Sequence, residues 1–256
     1  MNPYLYYGGA VLVGFLTSIL SGALGVGGAI LTTPALRLIL NSPATIALGT
    51  TLPATIPTAL SGAYRYWKQG LIDFRIFGFS ALFGIAGSLI GSYATRFFSG
   101  TVMMIFTAGF LLLVALNMFW KQTVRTKTAR ALHIHWWQIS LIGLAAGLLS
   151  GFLGIGGGIL MVPAYLLILQ MPVKMCLGTS LLVISVIAIP GTIVHGMLGH
   201  IDWWLALALS ILTFPGATLG AKLALRTRDQ KLIRAFAILL FLVSIFFAYR
   251  EINGLF

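Results

Sequence analysis

The sequence predicts an all-α polytopic membrane protein made of two inverted repeats. Each repeat is a broken, re-entrant helical hairpin followed by three transmembrane helices. Three observations carry this. The chain is 59% hydrophobic and 8% charged, with a mean hydropathy of +1.02, whereas a soluble domain carries about a quarter charged residues. A glycine-dense stretch, SGALGVGGAIL at 21–31, returns as SGFLGIGGGIL at 150–160, and each is closed by a proline, Pro34 and Pro163. The basic residues segregate to one side only if each glycine stretch turns back within the bilayer.

The first repeat covers 1–120. Its first apolar run ends at the glycines, and the run after them, 29–40, is about 18 Å long as a helix. That is too short for a hydrocarbon core of about 30 Å, so 4–40 reads as a hairpin. Its opening run belongs to the repeat and is not read as a removable signal peptide. Spans follow at 44–64, kinked by Pro53 and Pro57, at 76–95, where Gly87 and Gly91 suit close helix packing, and at 102–120. Residues 121–136 form a basic cytoplasmic linker. The second repeat, 137–256, has a hairpin at 137–169 and spans at 175–194, 203–225 and 232–248.

The repeat has a fixed register. An offset of 129 takes Ser21 to Ser150 and holds without a gap for about eighty residues. It pairs Gly25 with Gly154, Pro43 with Pro172, Asp73 with Asp202, and Leu48-Gly-Thr-Thr with Leu177-Gly-Thr-Ser. Coincidence does not explain this; a duplication kept for packing alone remains the plain alternative.

Charge decides the topology. If each glycine segment crossed once, the 16 Lys and Arg would divide evenly between the two sides. If each turns back, Arg37, Arg96 and Arg250 lie on one side and all the others on the opposite one. Basic loops stay in the cytoplasm, so the second arrangement is expected, with both termini outside the cytoplasm. Three crossings per half then invert the halves. The +12 net charge is therefore topological, and nucleic acid is not an expected partner.

A broken helix in a bilayer is tolerated where it is buried in protein or lines a cavity, and a matched pair points to a transport site. Half-helices starting near Gly28 and Gly157 would aim free N–H groups at mid-membrane, where a helix N-terminus attracts anions. The candidate substrate-binding residues are Gly25, Gly27 and Gly28 with Thr50 and Thr51, and Gly154, Gly156, Gly157 and Gly158 with Thr179 and Ser180. The bland reading is that the glycines allow tight packing and the hydroxyls bond their own helix backbone.

Other chemistry is poorly supported. The glycines lack the preceding strand and following lysine of a nucleotide loop. Ser21 or Ser150 with His195 would suggest an intramembrane serine hydrolase, yet a nucleophile needs no duplicate. His195 aligns with Tyr66 and reads as an interfacial residue near a helix end. His133, His135 and His200 lack metal spacing, and the single cysteine, Cys176, excludes an internal disulfide; no metal or cofactor is expected. The four acids, Asp73, Asp202, Asp229 and Glu251, all lie near loops, which argues against proton antiport through a buried carboxylate. An anion leaving a negative-inside cell gains about 2.3 kcal/mol per charge per 100 mV, so export needs no further coupling.

The doubled motif, each copy followed by proline and then Leu-Gly-Thr-(Thr/Ser), resembles the sulfite exporter TauE/SafE family over nearly the whole chain. The resemblance implies an inner-membrane permease for sulfite, sulfonates or related organic anions. Ala29 departs from it, standing where the second copy has Gly158. An anion channel, a scaffold subunit and the serine hydrolase are the competing classes. The expected partners are a small anionic substrate and the lipid bilayer.

Overall fold

The computed structural model describes residues 3–120 and 135–253, and the described residues are helical throughout, without strands. The basic linker lies almost wholly outside them. The first half contains α1 (Pro3–Leu24), α2 (Ala29–Leu38), α3 (Ala44–Trp67), α4 (Phe74–Ala94), a 3-10 turn (Thr95–Phe97) and α5 (Gly100–Trp120). The second contains α6 (Trp136–Leu153), α7 (Gly158–Leu167), α8 (Val173–Met197), α9 (Trp203–Ser210), α10 (Thr213–Arg226) and α11 (Asp229–Asn253). Five of these helices (α1, α4, α5, α6 and α8) are long and apolar enough to cross a membrane, and α9 with α10 make a sixth, bent span. This is a multi-pass membrane protein.

Local chemistry places the same breaks in both halves. Gly25 ends α1 at φ 70° and Gly154 ends α6 at φ 61°, each returning its N–H to the serine four residues back, Ser21 O at 2.9 Å and Ser150 O at 3.0 Å. Such left-handed caps favour glycine, which has no Cβ to clash. The short helices α2 and α7 close alike. Asn41 and Gln170 take positive φ, and the next N–H groups, of Ser42 and Met171, bond Leu36 O and Tyr165 O at 3.1 Å. Pro43 and Pro172 then start α3 and α8. Asp73 caps α4 by accepting from the Arg75 and Ile76 N–H groups; Asp202 caps α9 by accepting from that of Leu205.

In the first half the chain folds back at its break. Thr17 and Thr32 share a hydroxyl bond of 2.9 Å, while nearer the start of α1 the Tyr6 hydroxyl lies 3.2 Å from that of Ser42. The larger interfaces run between the halves: α4 on α6, α1 on α10, α3 on α8, α5 on α11. Backbone meets backbone there. A Cβ on Gly14 or Gly22 would strike the carbonyl of Leu209 or Ala217, and one on Gly143 or Gly151 that of Ser80 or Ser88. The four contacts form two pairs under the 129-residue offset. Along α3 and α8, Leu52 meets Gly191, Gly62 meets Leu181 and Tyr66 meets Gly178, so these two helices run antiparallel. Along α4 and α6, Ser80 meets Gly143 and Ser88 meets Gly151, so these run parallel.

One expected element is corrected. Residues 203–225 are not one straight helix: α9 and α10 meet at a 45° bend. Pro215 removes an N–H and crowds the carbonyl of Ile211, four residues earlier; Ala86 holds the matching place in α4, which runs unbroken. Pro53 and Pro57, expected to kink, lie inside the single helix α3. That helix is less apolar than a lone membrane span because Thr51, Thr55 and Thr58 line its buried side, each donating its hydroxyl to a carbonyl of the helix itself.

Candidate functional site

The two glycine breaks touch. A Cβ on Gly158 would come within 2.6 Å of Val26 Cα, and one on Gly156 lies 3.6 Å from Val26 O. Thr55 of α3 and Ile184 of α8, equivalent under the offset, flank the contact. A Cβ on Gly27 would come within 2.9 Å of Ile184 Cγ2 and 3.1 Å of Thr55 Cγ2. Residues 24–30 and 153–159 are all buried. The starts of α2 and α7 therefore come together at this contact. Their first hydrogen bonds run from the Leu31 and Thr32 N–H groups to Gly28 O, and from those of Leu160 and Met161 to Gly157 O. The N–H groups of Ala29, Ile30 and Ile159 precede these bonds and have no intrahelical acceptor.

The glycine copies differ at one step. Gly28 is helical at φ −61°, whereas Gly157 is left-handed at φ 69°. The nearest neighbour of a Cβ on Gly28 is the Thr58 side chain, at 3.4 Å, whereas one on Gly157 comes within 2.8 Å of Ala146 O.

The four hydroxyls singled out from sequence form crossed ties between the halves. Thr51 Oγ1 lies 3.1 Å from Gly154 O, and Ser180 Oγ lies 2.8 Å from Gly25 O. Each also meets its own helix, at Leu48 O and Leu177 O. Thr50 and Thr179 accept from the backbone N–H groups of Asp202 and Asp73, both at 3.0 Å. These bonds clamp each break onto the opposite half and seat the caps of α4 and α9.

The breaks also carry groups that spacing alone does not reveal. Ser21 Oγ and Ser150 Oγ, one turn before Gly25 and Gly154, are buried without any hydrogen-bond partner. Tyr66 donates to Gly22 O at 3.2 Å. His195, its counterpart, places Nε2 2.9 Å from Gly151 O and Nδ1 3.2 Å from His200 Nδ1. The interfacial reading of His195 is overturned: it is fully buried, because α8 extends to Met197 and carries it beneath the end of α6. Burial also lowers the pKa of His200, in the loop beyond α8, below the ordinary value of 6.5.

Residues 10–247 match the family described as Sulfite exporter TauE/SafE. The chain belongs to that family. It is 28% identical over 266 residues to the probable membrane transporter protein YunE of Bacillus subtilis, covering 94% of this chain and 97% of that one. It is 32% identical over 215 residues to YdhB, a probable membrane transporter protein of the same organism, covering 83% and 88%. A probable membrane transporter protein of Xylella fastidiosa is 29% identical over 255 residues, covering 95% and 94%. The TauE/SafE match spans both breaks and every residue of the crossed ties.

Proposed function

We propose that the protein is an inner-membrane permease for small anions, of the sulfite, sulfonate or related organosulfur class, working most often outward. The observation that carries this is the pair of buried, unpartnered hydroxyls, Ser21 Oγ and Ser150 Oγ, beside two touching breaks. An unsatisfied buried hydroxyl costs about 1–3 kcal/mol; its occurrence twice, in register, supports a role with a ligand. Backbone N–H groups at the starts of α2 and α7 supply the partial positive charge, and burial strengthens it.

The topology reading has matching support. The antiparallel course of α3 and α8 accords with an odd number of crossings per half, and so with inverted repeats whose basic loops are cytoplasmic and whose termini are not. The enclosed breaks favour a carrier over an open channel. The hydrolase reading has no geometry behind it, since Ser150 Oγ has no base in hydrogen-bond reach and His195 is engaged by Gly151 O.

The test is sulfite efflux from proteoliposomes carrying Ser21→Ala, Ser150→Ala or both. The single variants stay folded and lose about tenfold in transport, the value of one hydrogen bond to a charged ligand. Wild-type efflux in the double variant would overturn the site.

A further inference from the structure

The frame is symmetric under the offset, but its lining is not. Ser80, Ser88 and Ser92 of α4 are fully buried; their mates on α9 and α10 are Leu209, Ala217 and Ala221. Where the second half has His195 and His200, the first has Tyr66 and Leu71. The first break has buried hydroxyls of its own, Thr17, Thr32, Thr33 and Thr58, whose mates are Ala146, Met161, Val162 and Ile187; the serines and histidines of the second set meet where α4, α6 and α8 pack. Ser88 donates to Ile187 O at 2.8 Å, and Ser92 Oγ, without a partner, lies 2.6 Å from where a Cβ on Gly151 would stand. That glycine's carbonyl holds His195, and the next residue back is Ser150.

The bonding fixes the tautomers. A carbonyl only accepts, so His195 carries its proton on Nε2 toward Gly151 O, and its Nδ1 accepts from His200 Nδ1–H. His200 is partly exposed in the 198–202 loop. A proton taken from water at His200 Nε2 lets the Nδ1 proton pass to His195 Nδ1. His195 becomes an imidazolium with both nitrogens protonated, and His200 is left neutral with its proton on Nε2. One proton enters and none is lost.

We infer that His195, loaded through His200, binds one proton together with each anion at the break of the second half. The inference rests on the permease reading. A lone imidazolium buried there is costly, and so is a lone anion; bound together they neutralise one another, so each raises the affinity for the other by the same factor. Other charged groups on the neighbouring elements are engaged or lie away from His195: Arg65 of α3, its Nε without a partner, stands at the end of α3 that packs on Gly178 and Leu181. Arg96 bonds and stacks on Tyr93 at the exposed end of α4. Asp73 caps α4 beside Arg75, Asp202 caps α9, and Tyr66 of α3 is on Gly22 O. Tyr165 of α7 donates to Ser80, and Lys174 pairs with Asp229 of α11 at the opposite end of α8. On α6 there is no titratable side chain between Trp136 and Leu153.

The test uses methanesulfonate, an anion whose acid is fully ionised, so that any proton moved belongs to the protein. Proteoliposomes are assayed at about pH 6 and about pH 8, either side of the ordinary histidine pKa, with a lumenal pH dye and sulfite flux in parallel. Wild type carries methanesulfonate about tenfold faster at the acid pH, with about one proton per anion. His195→Tyr copies the residue of the first half at this place, and His200→Leu copies Leu71; in both the acid response and the proton signal disappear while flux persists. Flux that ignores pH in wild type, or an unchanged acid response in His195→Tyr, overturns the inference and leaves the permease reading standing. No flux of either anion at any pH overturns both.

Discussion

Gly154→Ala tests how tightly the breaks are clasped. Two costs separate. The residue has φ 61°, and placing an L side chain in that region costs about 1 kcal/mol. The added methyl also meets the backbone of α3, at 2.5 Å from Leu48 O and 2.9 Å from Leu48 Cα. Backbone yields less readily than a flexible side chain, and overpacking of this kind costs about 1–3 kcal/mol. Moving the two apart also stretches the Thr51 tie to Gly154 O. The sum is about 2–4 kcal/mol. Gly70→Ala is the control: its φ is 66°, and nothing stands within 4 Å of its Cβ position, so it carries the first cost alone. Both variants are compared by reversible unfolding in mixed micelles, with thermal midpoints as a second reading. Gly154→Ala falls below Gly70→Ala by more than about 1 kcal/mol. Equal stabilities would refute the close approach of break and α3 and the crossed packing built on it.

The crossed hydroxyl ties hold each break to the opposite half. Thr51→Val and Ser180→Ala each lower unfolding free energy by about 1 kcal/mol, measured in the same micelles, and their effects match because the bonds are equivalent. In the absence of anion, stability falls as the pH drops below about 6.5. The folded state holds the His200 pKa below its unfolded value, so the unfolded chain binds more protons there and acid favours it. His200→Leu flattens that slope in a thermal melt across pH.

Much of the frame was legible because duplication leaves a register. The offset found from Ser21 and Ser150 correctly pairs Thr51 with Ser180, Asp73 with Asp202 and Gly22 with Gly151, and each pair makes matching contacts. Glycine density located the breaks because few other residues take positive φ there. What the hydroxyls do was not legible. Thr51 and Ser180 find their acceptors across the molecule, and no spacing within one helix separates a tie from a ligand. The bend between α9 and α10 was missed for the opposite reason. Pro215 lies within an apolar run as Pro53 does, yet α3 remains one helix, clasped by α8 and α10, while the bend occurs in the outer span. His195 was misplaced because a histidine near the end of an apolar run resembles an interface anchor until the next helix is seen to cover it.

The division between what the halves share and what they do not locates the chemistry. The shared residues are those whose contacts are with backbone: glycines against carbonyls, Thr51 and Ser180 on the breaks, Asp73 and Asp202 on helix starts. Such contacts tolerate little change, since any Cβ or lost bond moves a helix. The residues that differ, Ser80 against Leu209, Ser92 against Ala221 and His195 against Tyr66, alter polarity while leaving those backbone contacts in place. Packing alone gives no reason to bury Ser92 Oγ without a partner when alanine fits its mate. The second break has serines and histidines beside it where the first has apolar residues or tyrosine, and the first has threonines where the second has apolar residues, so the two breaks are unequal. On the inference drawn from His195 and His200, the break that ends α6 is the one where a solute shares its charge with a proton.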